Sequence, residues 1–239
     1  MRWKRSVALV VAGVAVLAPL SAASADPVTP GKVDICHYDA ELGTYKKLTI
    51  SEKAVPAHLA NHPDGFVGDA VPGMRGYAFG PDCTPVSQVV TINFDDLVTG
   101  GEVNLDTISP YAGFVWTKGW VFAPAAYPGL GYTASSAPNT AFIGFPRDGQ
   151  PMTLVSVTGA VSFTSVHLNN PTGSATDPDG PLTITIEARY GGLVVGSQQV
   201  VLADGASTTA ALTFDNVDEL RLSANGKYFA VDDLSYFPA

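Results

Sequence analysis

The sequence predicts an all-β chain: an antiparallel β-sandwich preceded by a small α+β module. Three observations carry that expectation. From Val86 onward, short β-branched and aromatic runs are separated by Gly, Pro, Asn and Asp, with no convincing 3.6-residue pattern. Leu182, Ile184, Ile186, Ala188 and Tyr190 alternate with Thr183, Thr185, Glu187 and Arg189, the period-two signature of a half-buried strand. Residues 33–85 have a different texture, holding both cysteines and three of the four histidines. A chain that is 46% hydrophobic and 15% charged can bury a core, which excludes disorder as its overall state.

Taken in order, residues 1–25 read as a secretory signal peptide. Arg2, Lys4 and Arg5 form a basic start, Val7 to Leu20 is an apolar run of 14 residues, and Ala23-Ser24-Ala25 is a small-residue cleavage site. Fourteen residues fall short of the ~20 that span a bilayer, so a released protein is expected, with no membrane association after cleavage. Residues 26–85 form the small module. Val33–Tyr38 and Tyr45–Ile50 read as strands around Glu41-Leu42-Gly43; Ser51–Asn61 suits a helix capped by Ser51, regular from Pro56 and ended by Pro63. Residues 86–239 form the sandwich. Strands are expected at Val89–Phe94, Phe114–Trp116, Ala141–Phe145, Thr153–Val157, Val161–Leu168, Leu182–Tyr190, Leu193–Leu202, Ala211–Phe214, Glu219–Ser223 and Tyr228–Tyr236. Gly191-Gly192 supplies a hairpin turn.

Compartment and charge narrow the function classes. In an oxidising environment the one pair of cysteines, Cys36 and Cys83, is expected to form a disulfide. Formal net charge is −9, and losing residues 1–25 removes three basic residues and no acid, giving −12. That balance excludes nucleic acid, whose phosphates need clustered Lys and Arg, and disfavours polyanionic substrates.

Two resemblances arise from particular residues. Cys36-His37-Tyr38, Leu48-Thr49-Ile50-Ser51 and Ala54-Val55-Pro56-Ala57-His58-Leu59-Ala60-Asn61-His62 resemble a small module of secreted bacterial proteins with a Cys-His start and an Ala-His-Leu-Ala core. Its members often carry His-Gly-Asp after the helix, whereas this chain has His62-Pro63-Asp64-Gly65. Ile92–Leu97, Tyr111–Trp116, Asn139–Phe142 and Phe229–Leu234 are similar to jelly-roll domains of extracellular bacterial proteins that often end in a sorting tail, and more loosely to galactose-binding-like carbohydrate modules. This resemblance implies a jelly-roll sandwich, a glycan ligand and a structural Ca²⁺; surface anchoring is not carried over, because no sorting tail is seen.

Candidate sites follow. Asp95-Asp96 after the first strand and Asp232-Asp233 in the last are candidate Ca²⁺ ligands if the terminal strands are neighbours, although adjacent strand residues face opposite ways. The alternative is solvated edge acids. Asp177-Pro178-Asp179-Gly180 is a second candidate for the ion, with a plain turn as its alternative. His58 and His62 stand i,i+4 on one helical face, and Cys36 and His37 could complete a metal set; the competing reading is a disulfide with ordinary histidines. Tyr111, Phe114, Trp116, Trp120, Phe122, Tyr127 and Tyr132 crowd into 22 residues. Of these, Trp116 is expected in the core, and Trp120, Tyr127 and Tyr132 are candidate platforms for sugar stacking, with core filling an equal alternative for Trp120.

Catalytic patterns are missing: no Gly-x-Ser-x-Gly, no His-Glu-x-x-His, and no carboxylate partner for Glu187. The sequence therefore favours a non-catalytic secreted protein that binds an extracellular polysaccharide or cell-surface glycan. The alternatives are a structural or protein-interaction component of the extracellular matrix and a small hydrolase with an unrecognised site.

Overall fold

In the computed structural model, described at residues 31–98, 100–117, 119–124, 131–144, 151–171, 180–224 and 226–239, the small module comes first. Strands β1 (Lys32–Asp39) and β2 (Thr44–Ser51) pair antiparallel around a turn in which Asp39 accepts from the amides of Glu41 and Leu42. The Ser51 hydroxyl then accepts from Lys53 N–H and starts one 3₁₀ turn, Glu52–Ala54. Helix α1 (Val55–Asn61) follows with Pro56 in its first turn, the position that tolerates a missing N–H. Strands β3 (Tyr77–Phe79) and β4 (Pro85–Ser87) close the module as a second antiparallel pair. The boundary expected after residue 85 therefore cuts through a strand, and the module's hydrogen bonding runs on to Ser87.

Twelve strands follow: β5 (Val90–Ile92), β6 (Val103–Asn104), β7 (Phe114–Trp116), β8 (Trp120–Pro124), β9 (Asn139–Ile143), β10 (Met152–Ser156), β11 (Val161–Asn169), β12 (Leu182–Tyr190), β13 (Leu193–Leu202), β14 (Ser207–Val217), β15 (Glu219–Ser223) and β16 (Ala230–Pro238). They form an antiparallel sandwich. One sheet has the order β13-β12-β15-β10-β7; the other runs β14-β11-β16-β9-β8-β6, with β5 also pairing β16. From β9 onward the chain crosses between sheets at every connection except the β12–β13 hairpin. Gly191 and Gly192 both take positive φ there, 56° and 80°, as a type I′ turn requires. The opening and closing strands are neighbours, with Ile92 opposite Leu234 and Val90 opposite Tyr236.

The core between the sheets holds Phe94, Phe114, Trp116, Trp120, Phe163 and Phe229, with the inward Ile and Leu of β12, β14 and β15. Trp116 and Trp120 meet edge to face at 5.4 Å. A second, smaller cluster lies on the other side of the larger sheet, where Tyr132 covers Val121, Ala123, Phe142 and Ala230. Strand β8 is thus buried on both faces. It lacks the alternation that marks half-exposed strands, which is why the sequence reads Trp120 onward as a loose stretch.

Arg75 fixes the module to the sandwich. The β11–β14 pairing shifts register on either side of Phe163. The Arg75 guanidinium donates to Phe163 O (3.0 Å), Phe214 O (3.2 Å) and Asp215 Oδ1 (2.7 Å), and lies 5.1 Å over the Phe237 ring. Gly76 allows this approach. It has φ +77°, and a Cβ there would stand 3.0 Å from the Phe237 ring.

Candidate functional site

The docking of module on sandwich leaves a cleft between them, of about 600 Å³, within the roughly 300–1,000 Å³ of small-ligand sites. Tyr77 and Ala78 of β3 form one wall and Ser162, Phe237 and Pro238 the other, with Gln88, Asp215 and Asn216 at its polar positions. An adjoining hollow of about 510 Å³ runs along residues 70–76 and shares Asp215 and Phe237. Tyr77 is 36% exposed, so its ring can meet a ligand. The cleft combines aromatic faces with amide and carboxylate groups, the donors and acceptors that a sugar's C–H faces and hydroxyls use. Sequence reasoning missed all of these residues, because none forms a local motif: Tyr77 and Phe237 are brought together across 160 positions by Arg75.

The stacking candidates named from sequence lie elsewhere. Trp120 is 0% exposed, with Nε1 donating to Thr153 O at 3.2 Å, so it is a core residue and offers no platform. Tyr132 is also buried, against Phe142 with ring centres 4.9 Å apart. Tyr127 lies outside the described residues, as do residues 177–179. Trp116 is buried as expected and donates from Nε1 to Tyr111 O.

The four strand-end acids do not gather around one point. Asp96 accepts from Tyr111 Oη at 2.6 Å, and Asp95 accepts from the Asn139 amide at 3.1 Å. The Asn139 side chain donates to Phe94 O and Leu97 O, at 2.9 and 2.7 Å. Asp232 is buried and accepts from the Ser135 and Ser136 amides, at 2.8 and 3.0 Å. Burial pushes its carboxyl up to about 6 despite those amides, and the charge of Asp233 adds to the rise. Of the adjacent pair, Asp232 is buried and Asp233 only partly so. Asp233 has φ +44° at a register shift in β16, and Ser136 Oγ reaches both carboxylates, at 3.4 and 3.2 Å. No three of these acids bring ligand atoms within 4.8 Å of one another; among the described residues, the set that does is His37, His58 and Asp64.

That set surrounds a carboxylate in the small module. Cys36 is bonded to Cys83, so it is not available as a metal ligand. Its neighbour His37 points from β1 to Asp64, with Nδ1 2.9 Å from Oδ2, and His58 of α1 places its Nδ1 3.0 Å from the same oxygen. The Tyr38 amide donates to Oδ1 at 2.9 Å. The Asp64 side chain is 0% exposed. Burial works to raise its carboxyl, but the hydrogen bonds from His37, the Tyr38 amide and His58 outweigh it and hold the group below the usual carboxylate range. His62 stands beside this set rather than within it, its ring centre 5.4 Å from that of His37 and 5.7 Å from that of His58. His58 and His62 are therefore neighbours as their spacing predicts. Asp64, absent from the expected set, is its centre.

No family model matches the chain, and no curated protein matches it. Among solved structures it is similar to a DUF4465 family protein from Bacteroides caccae, at 12% identity and TM-score 0.44, over 64% of this chain and 100% of that one. It is similar to the CBM22-1 xylan-binding domain of Paenibacillus barcinonensis Xyn10C, at 16% identity and TM-score 0.32, over 63% and 94%. A third is the CBM22-1–GH10 portion of Clostridium thermocellum xylanase 10B complexed with xylohexaose, at 13% identity and TM-score 0.36, over 63% of this chain but 28% of that one. Likeness at this level carries no argument about function, and the fold rests on the chain's own sheets.

Proposed function

We propose that the protein is a non-catalytic extracellular binding protein whose module and sandwich together hold a neutral polysaccharide or cell-surface glycan in the cleft between them. The observation that supports this most is the pairing of Tyr77 and Phe237 with Gln88, Asp215 and Asn216 around one cavity of about 600 Å³. Flat rings take up sugar C–H faces at little entropic cost, and the amides and carboxylate match hydroxyls in either hydrogen-bonding role. A net charge of −9 favours a neutral ligand over an acidic one. Arg75 already pairs with Asp215, so part of the polar wall is held in place before a ligand arrives.

The test is binding to a panel of neutral polysaccharides, xylan among them, by affinity electrophoresis and calorimetry. Tyr77→Ala is expected to weaken binding at least about fivefold, since loss of one stacked ring is worth roughly 1–3 kcal/mol, and to leave the melting temperature unchanged. Binding that is indifferent to Tyr77→Ala would remove the cleft from the reading. Silence across the panel, together with self-association in light scattering, would favour a matrix or protein-interaction role instead. The feature that would then matter is β13, an edge strand of the smaller sheet that exposes Leu193, Val194, Val195 and Val201.

A further inference from the structure

The small module has little with which to hold itself together. Residues 33–85 contribute one apolar cluster, of Cys36, Val71, Phe79 and Cys83, with Tyr45 against it, plus the single buried side chain of Ile35. Segments this small with so few buried residues need covalent or metal cross-links. The Cys36–Cys83 disulfide is one; it ties β1 to the turn between β3 and β4 and leaves α1 untouched. Helix α1 itself has no buried residue and no side-chain cap at its first turn, so the apolar core does not hold it in place.

What lies between α1 and β1 is the His37, His58, His62 and Asp64 group. We propose that these four residues form a structural binding site for a divalent transition ion of the zinc class. Three features point there, and none depends on the glycan reading. First, a single carboxylate oxygen, Asp64 Oδ2, faces two imidazole Nδ1 atoms at 2.9 and 3.0 Å. Donors held at ~2.0–2.2 Å around a tetrahedral zinc lie about 3.4 Å from one another, so small shifts open this arrangement around an ion. Second, the three ring centres are 5.4, 5.4 and 5.7 Å apart. Three imidazoles on one tetrahedral zinc have centres about 5 Å apart, given Zn–N bonds of ~2.1 Å. Third, the Asp64 side chain is 0% exposed and its other oxygen, Oδ1, is held by the Tyr38 amide, the kind of outer contact that orients a ligating carboxylate.

Three nitrogens and one oxygen make a mixed hard and borderline donor set that suits zinc over calcium or magnesium, which take oxygens alone. In the bound form Asp64 Oδ2 and the two Nδ1 atoms turn to the ion, His37 and His58 carry their ring protons on Nε2, and His62 supplies the fourth donor. The ion would join β1, α1 and the turn after it, cross-linking the part of the module that the disulfide does not reach. The His62-Pro63-Asp64 order suits this, because Pro63 ends the helix and lets Asp64 turn back under His58.

The test uses the full chain, freed of metal with a chelator and titrated with Zn²⁺ by calorimetry, and with Co²⁺ by visible spectroscopy. One ion per chain is expected, with the intense visible bands of tetrahedral Co²⁺ and a melting temperature that rises with the ion present. His62→Ala, at an exposed position outside the Asp64 hydrogen bonds, should leave metal-free stability unchanged and weaken Zn²⁺ binding at least about tenfold. His167→Ala, at the one histidine in the sandwich, should change nothing. No uptake of either ion, or uptake that His62→Ala leaves intact, would overturn the proposal and mark the group as a hydrogen-bonded network only.

Discussion

At the scale of single residues, the position of a charge matters more than its presence. The chain carries 22 acidic residues, yet Asp64 and Asp232 are the two acids buried in it among the described residues, and the fold treats them in opposite ways. Asp64 meets enough donors to stay ionised; Asp232 does not, and its carboxyl rises to about 6. A carboxyl raised above its unfolded value lends stability below that value and loses it as pH climbs through the folded one. Between about pH 4 and about pH 6, Asp232 therefore costs stability that Asp232→Asn is spared, on the order of 3 kcal/mol at most. Denaturant midpoints of the two proteins should diverge over that range, the variant gaining as pH rises; parallel curves would refute the shift. His167, whose pKa burial lowers, is present in both proteins and so cancels in the comparison.

At the scale of elements, legibility follows exposure. Strand β12 alternates buried and exposed positions because one face meets solvent, and its sequence shows it. Strands β8 and β9 are buried on both faces, so period two vanishes; β9 is recognisable only as an apolar run, and β8 reads as a loose stretch that leaves Trp120 between core and platform. A chain with two cysteines announces their bond, while the bond's importance depends on how little else holds the module. For a sequence separation of 47, loop closure in the unfolded chain predicts a loss of about 4 kcal/mol on reduction. With so small a cluster behind it, reduction should free the amides of β1 to β4 to exchange hydrogen while β11, β12 and β16 stay protected. Uniform protection throughout the reduced chain would mean that the module's packing on the sandwich suffices.

At the scale of the whole molecule, Arg75 decides how the module sits and so creates the cleft. Its guanidinium reaches the Phe163 and Phe214 carbonyls beside the β11–β14 irregularity and the Asp215 carboxylate. In Arg75→Ala these acceptors lose a charged donor, worth roughly 1.5–3 kcal/mol for one such bond, and the contact over Phe237 goes with it. Limited proteolysis should then cut the segment between β4 and β5 at least about tenfold faster, with the isolated sandwich as the surviving fragment. Equal cleavage rates would show that Arg75 does not fasten the junction.

By itself the sequence determined the class of fold, the hairpin at Gly191-Gly192, the cysteine pair and the neighbouring His58 and His62, because each is written in local spacing or in residue chemistry. Only the tertiary structure decided that Trp120 is core, that Asp64 anchors the histidines and that Tyr77 meets Phe237 at a cleft. Those outcomes depend on which distant segments pack together. A residue's exposure and its partners are set by neighbours that are near in space but remote along the chain, and no local pattern records them.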